Sequence, residues 1–364
     1  MRGRQALVGI VALTPWIATS CAGAPPRPCA AASASAVVAP SASSAEATRT
    51  PAPLSPEARR ALEAAEAELA NGDPARAEEG FLRAQQLAPD HPAPLVGRAR
   101  AIVASLGIRI ELGAALGDPK REKRVEAARD LLRRAQKLAP SYAPAWIEGG
   151  RAALLVSDVE GALDDLDHAV TLAPEDVEAI SARALARLAL GRRREAIEDL
   201  RRAAALEPLS GTRKRNLASA LLLDGRPKEA IALYEEALKL EPDAPTGHAL
   251  LGAALIVDGD PKRAVKELER AVQLAPADAS FRTSLGFAYQ SVERWSDAEA
   301  SYREALRLDA HQPAAWIDLG SLYLARGKKA EAKQAFLRAL AIDPSDERAK
   351  EFLRELDDAG TKKP

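Results

Sequence analysis

The sequence predicts an all-α solenoid of stacked helical hairpins, and three observations carry that fold class. Proline, in the setting L-x-P or a close variant, recurs at Pro140, Pro174, Pro208, Pro242, Pro276 and Pro344, always 34 residues apart except for one double interval whose midpoint is Ala310. A fixed period of that length is the mark of a repeat array. Each period carries two stretches of apolar residues at helical spacing, separated by a short turn. Aromatic residues make up only 4% of a chain that is 47% hydrophobic, so the core rests on Ala and Leu. Such a core favours close-packed helices over a sheet sandwich.

The elements follow in chain order. Residues 1–20 read as an export signal. Arg2 and Arg4 precede a short apolar run over 6–17, well below the ~20 residues that span a bilayer, and small residues then lead to Cys21. The box Ala18-Thr19-Ser20-Cys21 resembles that of a bacterial lipoprotein, whose cysteine becomes the lipidated first residue of the mature chain. Ala18 stands where those proteins usually carry Leu. The alternative is an ordinary signal cut after Ala22-Gly23-Ala24, which would leave Pro25 just after the cut. Residues 21–56 are rich in Ala, Pro and Ser and offer too little large apolar surface to offset the entropy of ordering, so they read as a disordered linker. Cys29 in this leader has no evident role, and no cysteine occurs from Ser55 onward. Neither a disulfide nor a cysteine metal site therefore holds the fold.

Residues 57–346 divide into eight units, beginning at 58, 92, 143, 177, 211, 245, 279 and 313. In the unit from Pro245, His248, Leu251, Gly252 and Leu255 share one helical face; Gly259-Asp260-Pro261 then ends one helix and starts the next, and Ala264, Leu268 and Ala271 form the inner face of the second. The alanine pair recurs as Ala77/Ala84, Ala162/Ala169, Ala196/Ala203, Ala230/Ala237, Ala298/Ala305 and Ala332/Ala339. Methyl groups there let two helices approach closely, and larger side chains would cost ~1–3 kcal/mol by overpacking.

The second unit carries a 17-residue insertion. The string GDPKR at Gly117–Arg121, repeated at Gly259–Arg263, splits the excess into 11 residues before Gly117 and 6 after it. Eleven residues are about three helical turns, which predicts a lengthened first helix; six are not a whole number of turns, which predicts a kink or loop near Lys120–Arg124. Residues 347–358 read as a charged helix that covers the last apolar edge, and 359–364 as a disordered tail.

The repeat resembles the tetratricopeptide family. Trp316, Leu319, Gly320, Tyr323, Ala332, Phe336, Ala339 and Pro344 fill all eight signature positions, and Leu285, Gly286, Tyr289, Ala298, Tyr302 and Ala305 match in the preceding unit. The resemblance implies a right-handed superhelix of helical hairpins whose first helices line a concave groove. The unit 177–210 departs from it, with Ile180, Arg183, Ala184 and Arg187 where the family has Trp, Leu, Gly and Tyr. That unit is expected to be less tightly packed.

Catalytic and metal-binding signatures are not found. His91, His168, His248 and His311 occupy different positions of the repeat frame, and no GxSxG, HExxH or phosphate-loop motif occurs. Gly149-Gly150 lies mid-helix at the family's tight-packing position and carries no phosphate signal. The sequence thus predicts a protein that is not an enzyme and needs no cofactor. A basic cluster includes Arg192, Arg193, Arg194, Arg213 and Lys214. It lacks the stacking aromatics of a nucleic-acid site, and the net charge of -1 gives no general basic field. The readings left are a solvated face or a contact for an acidic partner or lipid headgroup.

The groove positions that the family implies carry Ile147, Leu154, Leu155, Leu185, Leu188, Leu222, Leu223, Leu250, Ile256, Val257 and Phe287, with Arg215 near a position that clamps carboxylates in some relatives, although Ser219 replaces the expected Asn. Either these residues form an exposed apolar surface for a peptide segment, or they pack on the adjoining repeat. The functional expectation is a non-catalytic protein-binding scaffold, exported and lipid-anchored at Cys21 in the bacterial envelope, facing the periplasm. Its nearest functional relatives are repeat lipoproteins that assist secretion, pilus or outer-membrane assembly. The alternative is a targeting or regulatory arm of an enzyme complex, such as one built on a repeat-linked glycosyltransferase.

Overall fold

The structure, a computed structural model, describes residues 51–107 and 118–361. The export signal, Cys21, almost all of the predicted linker, the middle of the insertion and the last three residues lie outside that range. The described residues contain 17 helices and no strand. Eight hairpins follow one another: α1 (Pro56–Ala70) with α2 (Pro74–Leu87), α3 (Pro92–Ser105) with α4 (Pro119–Leu138), α5 (Ala143–Leu155) with α6 (Val159–Leu172), α7 (Val177–Ala189) with α8 (Arg193–Leu206), α9 (Gly211–Leu223) with α10 (Pro227–Leu240), α11 (Pro245–Asp258) with α12 (Pro261–Leu274), α13 (Ala279–Ser291) with α14 (Trp295–Leu308), and α15 (Pro313–Ala325) with α16 (Lys329–Ile342). A last helix, α17, spans Glu347–Thr361, three residues beyond its predicted end.

Local chemistry sets the helix ends. Ser55, Asp73, Asp158 and Asp260 accept hydrogen bonds from backbone N–H groups of the first turns of α1, α2, α6 and α12, which satisfies donors that have no partner inside the helix. Between the two helices of a hairpin the chain passes through one left-handed residue, for example Gly225 (φ 77°) and Gly259 (φ 88°). Ser157 (φ 59°) and Glu293 (φ 62°) take the same conformation with a side chain attached, which L-residues adopt only at a cost.

By compactness the described residues form two units, 51–206 and 207–361. In each, the helices of a hairpin pack on one another, each second helix packs on the next first helix, and successive first helices also touch. The alanine pairs are all buried, as the spacing predicts. Glycine at a fixed point of the first helix receives a large buried side chain of the second. A Cβ on Gly150 would lie 2.4 Å from Leu166, on Gly286 2.7 Å from Tyr302, and on Gly320 2.5 Å from Phe336. These contacts set the close approach of the two helices.

The insertion resolves differently from its prediction. The first helix, α3, is no longer than α11 (14 residues each), so the 11-residue excess does not extend it. The six-residue excess lengthens α4 to 20 residues, against 14 for α12, and residues 120–124 are helical rather than kinked. The added residues precede the core positions, which are Ala128 and Ala135, seven apart as elsewhere. Adding turns at the free end of a helix leaves the register of its buried face unchanged.

In the second unit, one core cluster runs from Val265 to Ala349 and ends against α17. There Arg348 reaches the fully buried Asp318 at 3.2 Å, and Phe352 stacks on Phe336.

Candidate interaction surface

The face that touches from hairpin to hairpin is made of first helices, and its first residues to consider are the predicted groove positions. In unit 51–206, Ile147 and Leu155 are buried members of core clusters. Leu154 is half-buried against another cluster, and Leu185 and Leu188 are half-buried. In unit 207–361, Ile256 and Phe287 are half-buried and pack on the core, and Leu222, Leu223, Leu250 and Val257 are half-buried. Ile147 and Leu155 are therefore withdrawn from solvent by packing on neighbouring helices, while the other predicted positions keep part of their surface exposed. The exposed large hydrophobics among the described residues lie instead on second helices and one turn, including Leu82, Leu209 and Leu337.

The first helices of unit 51–206 carry a chain of alternating charge that sequence reading missed. Arg100 donates to both oxygens of Glu66 (2.9 and 3.0 Å) and lies 3.9 Å from Glu148; Arg151 sits 3.6 Å from Glu148 and 3.9 Å from Glu178. Burial raises the Glu148 carboxyl above the usual carboxylate range, while Arg151 and Arg100 oppose the shift. Successive first helices supply these residues, so no single helix displays the pattern. In unit 207–361 the corresponding charge is at Arg215, which is bound to Glu241 and Thr212. Ser219 bonds the hydroxyl of the buried Tyr234. Neither residue is held as in a carboxylate clamp.

The basic cluster divides between the units. Arg192, Arg193 and Arg194 are exposed, and Arg192 is paired with Glu195. Arg213 is paired with Glu207 (2.8 Å) and Lys214 with Glu236 (2.6 Å). Much of its charge is thus already compensated.

Arg183 and Arg187, the departures in the fourth unit, do not leave a loose core. Arg183 grips Asp199 with two nitrogens (2.6 and 2.9 Å) and reaches Asp167 (3.0 Å), while Arg187 binds Asp199 at 2.7 Å. Asp199 is only 4% exposed. An ionic cluster takes the place of the leucine and tyrosine of other units, and paired carboxylate and guanidinium groups tolerate that burial where single charges would not. The sequence signal was present in Asp199, but its partner is 16 residues away on the opposite helix.

In four of the eight hairpins, position four of the repeat does one structural job despite its varied chemistry. Trp146 donates to the Pro140 carbonyl (2.9 Å), His248 to Pro242 (2.9 Å), Arg282 to Pro276 (2.9 Å) and Trp316 to Ala310 (3.1 Å). Each closes the turn that leads into its own hairpin. His91 caps α3 through Nδ1, and His168 sits against the Trp146 ring. Among the described residues, no group of three or more His, Cys, Asp or Glu is placed to hold a metal, and no helix is long and apolar enough to cross a membrane.

Two tetratricopeptide-repeat profiles match, one over residues 221–286 and 291–356 and the other over 181–245. No curated protein matches the sequence. Among solved structures, a chain of the APC/C hetero-tetramer Cut9–Hcn1 is similar, with TM-score 0.60 and 16% identity over 81% of this chain and 55% of that one. Pseudomonas aeruginosa pilF aligns with TM-score 0.49 and 19% identity, covering 58% of this chain and 97% of its own. YrrB, described as a TPR protein with an unusual peptide-binding site, aligns with TM-score 0.40 and 20% identity over 52% and 97%. This chain spans about half the length of the Cut9–Hcn1 chain, and the likeness to that chain, at 16% identity, bears on the fold alone. The repeat period, the glycine-to-aromatic contacts and the matched profiles together identify tetratricopeptide repeats in this chain, with residues 181–356 matched almost throughout.

Proposed function

We propose that this protein is an exported, non-catalytic scaffold that is lipid-anchored at Cys21 and binds peptide segments of other proteins along its first helices. A protein-interaction role accords with the family, whose members are scaffolds built from such hairpins. The observation that carries the binding surface is the Glu66–Arg100–Glu148–Arg151–Glu178 chain. It gives the first helices of unit 51–206 a polar, alternating face, so recognition there depends on charge pairing and hydrogen bonds more than on apolar burial. The half-buried residues Leu222, Leu250, Ile256 and Phe287 add apolar contact in unit 207–361. The anchor and the envelope location rest on the charged start, the apolar run and the Ser20-Cys21 junction. A linker of the composition of 21–56 would hold the array away from a membrane surface.

Two measurements test the reading. Mass spectrometry of the mature N-terminus is expected to find acylated Cys21, and an intact Met1 would overturn the location. A peptide array probed with the exported chain is expected to show capture that weakens with salt and with Arg100→Ala. Capture indifferent to both would remove the first-helix face from the proposal.

A further inference from the structure

Arg193, Arg194, Arg201 and Arg202 all lie on α8, and all are exposed. Among the described residues, none of the four is paired with a carboxylate. Several arginines on other second helices are paired: Arg76 with Asp73, Arg263 with Glu235, Arg270 with Asp243 and Arg307 with Glu304. The inner face of α8 is Ala196, Ile197, Leu200 and Ala203, all buried. Helical spacing puts Arg194, Arg201 and Arg202 on the outer face around Glu198, which is four residues from Arg194 and Arg202 and three from Arg201. One carboxylate stands among three guanidinium groups, so the face keeps a net positive charge whatever pairing Glu198 makes. Arg192 adds nothing to it, because Glu195 holds that guanidinium through two bonds (2.5 and 2.7 Å).

The charge of this face calls for an anionic partner, and the neighbouring ridge limits its shape. Arg183 bonds both Asp167 of α6 and Asp199 of α8, so these two second helices stand side by side. On α6, Glu160 and Asp164 are exposed. A flat anionic surface such as a bilayer would bring its own charge against those carboxylates while it met α8. A single chain laid along α8 avoids them. Carboxylates suit the planar donor fork of a guanidinium group. The three arginines span about 12 Å of helix axis at 1.5 Å per residue, a distance that a short acidic segment covers. Leu206, one turn past Arg202, is 38% exposed and extends the surface with apolar area.

We propose that the outer face of α8 is a docking surface for an acidic segment of a partner polypeptide, whose carboxylates pair with Arg194, Arg201 and Arg202. It is separate from the first-helix face, and neither reading depends on the other. The test uses the full chain at low salt with three probes: a fluorescent peptide of Glu and Ala ending in Leu, its Gln-for-Glu counterpart, and vesicles of phosphatidylglycerol and phosphatidylcholine. The Glu peptide is expected to bind, more weakly as salt rises, and the Gln peptide is not. Arg194→Ala, Arg201→Ala and Arg202→Ala together are expected to weaken Glu-peptide binding about tenfold, with helicity retained because none of the three side chains packs in the core. Glu198→Gln is expected to tighten binding. Arg192→Ala, which removes an already paired charge, and Arg100→Ala, on the first-helix face, are expected to leave it unchanged. Vesicle binding is expected to be the same for the triple variant and the parent chain. Equal binding of the two peptides, or unchanged Glu-peptide affinity in the triple variant, would overturn the surface. Vesicle binding lost in the triple variant would assign the face to lipid and overturn the polypeptide reading. Peptides captured on the first-helix face respond to Arg100→Ala and not to the triple variant, so failure of one surface is separable from failure of the other.

Discussion

Phe352 of the last helix lies flat on Phe336 of the preceding one, with ring centroids 4.8 Å apart and planes 9° from parallel. Phe336 is itself buried against Gly320. The terminal helix thus adds one more aromatic ring to the stack that closes the last hairpin. Removing the Phe352 ring is expected to destabilise unit 207–361 by about 1–3 kcal/mol. Denaturant unfolding of Phe352→Ala followed by circular dichroism measures this. A midpoint equal to that of the parent chain would show that α17 does not contribute to the fold.

Asp318 supplies a prediction about pH. Burial pushes its carboxyl up to about 6 although Arg348 lies beside it, because only Oδ1 is bonded and Oδ2 is buried without a partner. The folded value lies above the unfolded value of 3.8, so the folded protein holds the proton to higher pH. Stability from this group is therefore greatest below about pH 4 and is lost as pH rises through 6. The loss at pH 7 is on the order of 3 kcal/mol at 1.36 kcal/mol per pH unit. Asp318→Asn is expected to flatten the slope of stability between pH 4 and 7, and melting curves across that range would read it. A slope identical to that of the parent would count against the assignment.

The ionic cluster in the fourth hairpin predicts an asymmetry. Asp199→Ala leaves Arg183 and Arg187 buried with less compensation and is expected to cost about 3–5 kcal/mol. Replacing Arg183, Arg187 and Asp199 together with apolar residues of similar size is expected to be neutral or stabilising by about 1–4 kcal/mol. Chemical denaturation of both variants decides the matter. A triple variant less stable than Asp199→Ala would mean that the charges contribute more than their desolvation costs.

Glu293 holds a left-handed turn conformation that glycine holds in Gly225 and Gly259. Glu293→Gly is expected to raise stability by up to about 1 kcal/mol, net of the added freedom of the unfolded chain. Gly320→Ala places a methyl about 2.5 Å from the Phe336 ring and is expected to cost about 1–3 kcal/mol. Thermal melts of the pair should move in opposite directions, and a shift of the same sign would contradict the packing described.

Much of the architecture was legible because it repeats. The proline period, the alanine pairs and the Gly-Asp-Pro turns are local signals, and each recurs often enough to be read without knowing what it touches. The insertion was misassigned because spacing counts residues without showing which end of a helix they join. Ala128 and Ala135 settle the point, since they keep the buried register while the extra turns precede them. Two of the predicted groove positions, Ile147 and Leu155, are buried for a similar reason, since their burial depends on the neighbouring hairpin, while the others are half-buried.

By itself the sequence determined where hairpins begin and end and which small residues let them close, because caps, turns and helical faces are set within a few residues of one another. Tertiary structure alone decided that Arg183 and Arg187 share Asp199, that Glu148 lies between two guanidinium groups, and that Asp165 and Gln136 close over Gly149. Those relationships join residues on different helices. The free energy of burying a charge or leaving a cavity depends on what the other helix brings there.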